Sequence, residues 1–141
     1  MSFETKNPSS AKELLDSDQD WVYLDVRSTA EFEQGHPTGA YNVPLAQMHD
    51  GQMVPNAQFV EVVQKNFPAD TRLVVGCAMG GRSARACEML AAVGYQNLVN
   101  MHGGYSGARD PSGRVLEPGW KDCGFPTAVA PRPERGYAAL L

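Results

Sequence analysis

The sequence predicts an α/β fold with a mainly parallel central sheet flanked by helices on both faces. Three observations point there. Short apolar runs of strand type alternate with helix-like segments along the chain. One run, Leu73-Val74-Val75-Gly76, is continuously apolar, as expected of a strand at the centre of a parallel sheet. No repeat or linker divides the 141 residues. A single domain over 1–141 is therefore expected, with its core at about 9–126 and a loosely ordered tail at 127–141.

The elements follow in order. Pro8-Ser9-Ser10 leads into Ala11-Lys12-Glu13-Leu14-Leu15, a short helix with a serine cap. Trp21 to Val26 is an apolar run that carries Asp25 near its end and reads as a strand. Ser28-Thr29-Ala30-Glu31 has the capping-box pattern, so a helix starts at once, and Gly35-His36-Pro37 stops it. Ala40 to Val43 is a brief strand closed by Pro44, and a turn is expected between Met53 and Pro55. Residues 57–67 place Phe59, Val60, Val63 and Phe67 on one helical face. After the strand at 73–76 and a glycine-bearing stretch, residues 84–93 read as a strong helix, with Gly94 placed for a left-handed C-cap. Leu98-Val99-Asn100-Met101 is the last strand, and Gly103-Gly104 opens a loop that runs to about Trp120.

Composition narrows the function classes. A formal net charge of -4 does not suit a nucleic-acid surface, which needs a basic stripe. No apolar run approaches the ~18 residues of a membrane span, so no membrane partner is expected. The first dozen residues are polar, so no signal peptide is expected. Three cysteines without metal-type spacing suit free thiols in a cytoplasm rather than a disulfide framework, and no metal or other cofactor is expected.

The chemistry concentrates in Gly76-Cys77-Ala78-Met79-Gly80-Gly81-Arg82-Ser83, between a buried strand and a helix. Ligands of open α/β sheets bind beyond the carboxyl ends of the strands. There the unpaired N–H groups of a loop and of the next helix's first turn favour negative charge on a cysteine sulfur. Arg82 adds a fixed positive charge, and Gly80 and Gly81 let the loop curl so that several N–H groups converge. The alternative is an ordinary buried cysteine at a strand end. The combination of strand, cysteine, two glycines, arginine and helix start favours a nucleophile in an anion nest.

At these residues the chain resembles the single-domain rhodaneses, a family of sulfurtransferases. Cys77-x-x-Gly80-x-Arg82-Ser83 is similar to their active-site loop. Leu24-Asp25-Val26-Arg27 with Glu31-Phe32 resembles a first block of the family. Gly35-His36-Pro37-Thr38-Gly39-Ala40 with Asn42-Val43-Pro44 resembles a second, with Pro37 where an aliphatic residue is usual. Gly103-Gly104, then Trp120, Gly124 and Pro126, resemble its closing segment, so the likeness covers most of the chain. The resemblance implies a three-layer rhodanese-like fold and ping-pong sulfur transfer. Cys77 would attack the outer sulfur of a small sulfur-containing anion or a persulfide donor. It would then carry a persulfide and pass that sulfur to a thiophilic acceptor, a thiol or a protein.

The nearest rivals, cysteine phosphatases and arsenate reductases, have one more residue between cysteine and arginine. Here only Ala78, Met79, Gly80 and Gly81 intervene, a loop of sulfur size. Gly76 stands where the phosphatases usually place a histidine. A non-catalytic binding module is a third possibility. Ala78 and Met79 stand where some thiosulfate-preferring rhodaneses have basic residues, so polysulfide or persulfide donors suit this rim better.

Roles for the remaining residues follow. Arg82 is expected to orient substrate rather than simply to pair with a carboxylate. Ser83 is read as structural, as a helix cap or a hydrogen-bond partner of the sulfur. Asp25 and Arg27 are expected to form an internal ion-pair network that holds loops. Transfer to a thiolate needs no general base, so His36 and His102 are structural or rim residues. Cys87 belongs to the core, and Cys123 is a possible second thiol. Residues 106–118, with Arg109, Asp110 and Arg114, depart from the compact family pattern and form either a surface excursion or a flap beside the site.

Overall fold

The computed structural model describes residues 3–78, 81–129 and 133–141. Strands and helices alternate as the patterning predicts. The chain opens with β1 (Glu4–Lys6), α1 (Pro8–Asp16), β2 (Val22–Asp25) and α2 (Thr29–Gln34). Two short strands, β3 (His36–Pro37) and β4 (Tyr41–Asn42), precede a hairpin of β5 (Ala46–His49) and β6 (Gln52–Pro55). Next come α3 (Phe59–Asn66), β7 (Leu73–Gly76), α4 (Gly81–Ala92) and β8 (Leu98–Met101). A second hairpin pairs β9 (Ala108–Arg109) with β10 (Val115–Glu117), and the chain ends with β11 (Thr127–Ala128), a 3-10 turn (Pro133–Arg135) and α5 (Tyr137–Leu140).

Five strands form the central sheet in the order β1-β8-β7-β2-β4, with every neighbouring pair parallel. Strand alternation sends side chains to two separate cores. Leu24, Leu73, Val75 and Leu98 pack against Phe59, Val63, Ala86, Cys87 and Leu90 of α3 and α4. Tyr23, Val74, Val99 and Met101 face the other way, toward Ala11, Phe32, Tyr105 and Trp120. Both faces are therefore covered, and the three layers follow. The register sets Asp25 beside Gly76 and Val75 beside Asn100, so the carboxyl ends of β2, β7 and β8 finish at one edge.

The capping box forms as its spacing predicts: Ser28 Oγ accepts from Glu31 N, and Glu31 Oε1 accepts from Ser28 N. Gly94 takes the left-handed conformation after α4, at φ 103. Among the described residues no helix is long and apolar enough to cross a membrane.

Five expectations need correction. The first helix is capped not by a serine but by Asn7, whose Oδ1 accepts from Ser10 N, and it starts at Pro8. The turn expected at Met53 to Pro55 is strand β6, and the reversal lies at Asp50 and Gly51, both at positive φ. The loop after Gly104 carries the β9–β10 hairpin. The core begins before residue 9, because β1 pairs with β8 although Glu4, Thr5 and Lys6 bring no apolar side chain to it. The described part of the tail, 127–129 and 133–141, is docked rather than loose. Thr127 and Ala128 pair with β3, and Leu140 is buried against the core. Asn66 Nδ2 and Lys65 Nζ reach the carbonyls of Leu140 and Leu141 at 2.7 and 2.5 Å.

Candidate active site

Strand β7 delivers Cys77 to the edge where the parallel strands end. A side chain at Gly76 would collide with the Tyr23 hydroxyl. The strand therefore needs glycine at this position. Cys77 itself is only 1 % exposed and turns toward the α4 side of the sheet. Its Sγ lies 3.5 Å from Ser83 Oγ, a distance at which a thiol donates a hydrogen bond. Helix α4 starts at Gly81, so Cys77 stands in front of its amino terminus. Met79 and Gly80 of the predicted cradle lie outside the described residues.

The described part of the loop is held from behind by its carbonyls. Tyr105 N donates to Cys77 O at 2.7 Å, and Ser106 N donates to Ala78 O at 2.9 Å. Gly104 permits this approach, since its φ is +60 and a Cβ there would lie 2.5 Å from both carbonyl oxygens. A further layer backs this one: Trp120 N donates to Gly104 O and Lys121 N to Tyr105 O. Trp120 is buried, with its indole N–H on Pro126 O. These contacts give the Gly-Gly and Trp-x-x-x-Gly-x-Pro pattern a physical purpose, to orient the loop.

Arg82 has a carboxylate partner in the structure. Its guanidinium grips the Glu31 carboxylate with two hydrogen bonds, at 2.7 and 3.0 Å. The cause is local. Glu31 is fixed by its capping box, and its remaining lone pairs face the start of α4. Partial burial works against the charged carboxyl, but hydrogen bonds from Arg82 and Ser28 prevail and hold Glu31 at about 2. The hydrogen bond to Glu31 in turn pushes Arg82 upward.

Ser83 does not cap the helix, because it is the third residue of α4 and fully buried. Its hydroxyl donates to Asn100 Oδ1 at 2.5 Å while lying against the Cys77 sulfur. Asn100 thus joins the site from within the apolar run Leu98-Val99-Asn100-Met101, where patterning marks only a strand. Its signal was a polar side chain at the carboxyl end of an otherwise apolar strand.

Asp25 and Arg27 form the expected internal network. Arg27 Nε and Nη2 bond the Asp25 carboxylate at 2.7 to 3.1 Å, and Nη2 also reaches Gly35 O at 2.6 Å. Burial pushes the Asp25 carboxyl up against the pull of Arg27. The guanidinium lies 4.4 Å over the Tyr105 ring, so this pair supports the segment that holds Cys77 O. An open depression of ≈ 270 Å³ lies alongside, lined by Arg27, Glu31, Tyr105, Ser106 and Lys121 among others.

The other candidates fall outside this cluster. His36 is buried, shares a hydrogen bond between Nδ1 and Phe32 O, and stacks on the Phe32 ring. His102 pairs with Glu117 at 2.5 Å and ties β8 to β10. Cys87 sits in the core of α4, and burial pushes its thiol up to about 12, with the Cys77 charge adding to the shift. Cys123 is half-buried in the turn after Trp120. Within 106–118, Arg109 pairs with Asp122 and ties the hairpin to the turn after Trp120, whereas Asp110 accepts from Ser112 and Arg114 N and closes the hairpin's own turn.

Comparison with known proteins agrees with this architecture. The model of the Rhodanese-like domain family matches residues 7–110. Thiosulfate sulfurtransferase 16, chloroplastic, of Arabidopsis thaliana is 38% identical over 109 residues, 75% of this chain and 91% of that protein. Protein HIGH ARSENIC CONTENT 1, mitochondrial, of the same plant is 36% identical over 122 residues, 86% of this chain and 64% of that protein. The crystal structure of Rv0390 from M. tuberculosis superposes with a TM-score of 0.78 at 26% identity, covering 91% of this chain and 98% of that one. The relatives named as thiosulfate sulfurtransferases support a rhodanese-type sulfurtransferase at the level of the family. The chain belongs to the rhodanese-like domain family.

Proposed function

We propose that the protein moves a sulfane sulfur from donor to acceptor through a persulfide on Cys77. The observation that carries this reading is the place of Cys77: its sulfur lies 3.5 Å from Ser83 Oγ, before α4, in a loop whose carbonyls are tied back by Tyr105 and Ser106. The Cys77 thiolate attacks the terminal sulfur of the donor. The donor's S–S bond breaks and its electron pair leaves with sulfite, a shortened polysulfide or a thiolate. The outer sulfur of the resulting persulfide anion faces the helix dipole. A cyanide or thiolate acceptor then attacks that sulfur, and the Cys77 thiolate is released for the next cycle.

One feature favours polysulfide or persulfide donors over thiosulfate. The charge of Arg82 is largely offset by Glu31, so the site attracts a dianion less than a bare arginine would. The cytoplasm is proposed as the compartment, since Cys87 and Cys123 are kept as thiols; imaging of the tagged full chain checks it.

Incubation with a panel of sulfane donors and intact-mass detection tests the proposal. One sulfur, about 32 Da, should be added to the wild type and to a Cys123→Ser variant, and not to Cys77→Ser. A label on Cys87 or Cys123 would sink the assignment. The arsenic-related name of one relative makes arsenate the rival worth an arm of the same experiment. Cys77-dependent arsenate or aryl-phosphate turnover without any persulfide would replace sulfur transfer. Full cellular function in Cys77→Ser would point to a binding module instead.

A further inference from the structure

We infer that Asn100 is a positioning residue that sets which way the Ser83 hydroxyl faces Cys77 and thereby tunes how readily its sulfur reacts. This rests on the proposed role of Cys77 as the sulfur carrier. An amide oxygen carries no proton, so the 2.5 Å contact from Ser83 Oγ to Asn100 Oδ1 must use the single hydroxyl proton of Ser83. Toward Cys77 that hydroxyl then offers a lone pair, which suits a donating S–H at 3.5 Å. A thiolate or persulfide has no proton to give and needs a donor in the same place. Ser83 supplies one by turning its proton from Asn100 to the sulfur. All three residues are buried, so water does not readily replace either hydrogen bond. Asn100 thus acts on the sulfur through Ser83, from a neighbouring strand and without touching substrate.

Other groups act on the same sulfur. Among the described residues Arg82 and Cys87 on α4 and Tyr23 on β2 interact electrostatically with Cys77. They are unchanged in the variants that test the inference, so the effect of Asn100 can be read against a fixed background.

Alkylation of Cys77 by iodoacetamide, followed across pH and read on the Cys77 peptide by mass, provides the test. Asn100→Leu removes the acceptor and frees the Ser83 proton for the sulfur. Alkylation below the midpoint of its pH profile should then accelerate about tenfold, and the profile should move to lower pH. Asn100→Asp keeps the shape and strengthens the acceptor, so it should slow alkylation and move the profile to higher pH. In a Ser83→Ala background the gain from Asn100→Leu should vanish. The inference is overturned if both variants move the profile the same way, or if Asn100→Leu acts equally without Ser83. Should Asn100→Leu fail to fold, Asn100→Asp is compared with and without Ser83; because the added carboxylate repels a thiolate by itself, a shift of the same size in the Ser83→Ala background overturns the inference. Alkylation requires no sulfur donor, so its outcome is separate from persulfide loading. A protein that shows this pattern but never gains sulfur refutes the carrier role and leaves the assignment of Asn100 standing. One that gains sulfur without the pattern does the reverse.

Discussion

Two arginine–carboxylate pairs flank the loop that presents Cys77, and they are built differently. Arg27 and Asp25 are two residues apart at the end of β2, with side chains only 5% and 1% exposed. Arg82 and Glu31 join α4 to α2 across fifty-one positions of sequence, and their side chains are 26% and 33% exposed. The first pair lies under Tyr105 and supports the backbone that holds Cys77 O. The second lies beside the loop and, in the proposed transfer, sets how much positive charge a donor meets. Burial pushes the Asp25 carboxyl up, whereas hydrogen bonds pull the Glu31 carboxyl down. A similar ion pair thus serves as scaffold in one place and as charge regulator in the other, and solvent exposure separates the two roles.

The largest effect should come from breaking the buried pair. Asp25→Ala leaves the Arg27 guanidinium enclosed without its carboxylate. A cost of about 3–5 kcal/mol in unfolding free energy is expected, measured by urea titration. Loading of Cys77 should fall with it, because Arg27 supports Tyr105. A loss below ~1 kcal/mol would mean that the pair behaves like a surface bridge, and the contrast would collapse.

That contrast was only partly legible beforehand. Asp25 and Arg27 follow the first clear strand, and their mutual pairing is local enough to expect. The capping pattern from Ser28 to Glu31 was equally plain, as were Leu73 to Gly76 and the cysteine loop, because each depends on neighbours in sequence. The partnership of Glu31 with Arg82 was not legible, since it joins two helices through a tertiary contact. Asn100 was hidden for the same reason: the register of β8 beside β7 brings it to Ser83. Strand β1 has no apolar side chain to announce it and exists because β8 offers an edge. The docked end of the chain depends on Tyr137 and Leu140, two anchors in a stretch whose proline and arginine content resembles a loose tail. The hairpin at 46–55 did carry a signal, the Asp50-Gly51 pair, that outranks the turn placed after Met53.

The part-buried pair should respond with a smaller and different effect. Glu31→Gln removes the charge but keeps a side chain able to complete the capping box. Stability should change by less than ~1 kcal/mol. The guanidinium of Arg82 would lose its neutralising partner, so the KM for the thiosulfate dianion should fall a few-fold while that for a monoanionic alkyl persulfide falls less. Steady-state kinetics with both donors checks this. An equal change for the two donors would show that Glu31 shapes the loop rather than setting its charge.

The smallest effect is the pH dependence of that same variant, and its sign is fixed by the direction of the shift. Glu31 titrates at about 2 in the folded protein, against about 4.3 for an unfolded glutamate. A depressed carboxyl contributes stability that is complete above the unfolded value and is lost as pH falls through the folded one. The wild type should therefore exceed Glu31→Gln by a constant small margin at neutral pH, and the margin should shrink between about pH 4.5 and about pH 2. Asp25, whose carboxyl is raised by burial, contributes in the opposite sense and is present in both proteins, so it cancels in the difference. Half-exposed charges are screened by salt, so added salt should narrow the margin at neutral pH as well. Paired denaturant titrations across that range measure it. A margin that stayed level to pH 2 would place the low-pH sensitivity elsewhere and leave Glu31 without the role that separates it from Asp25.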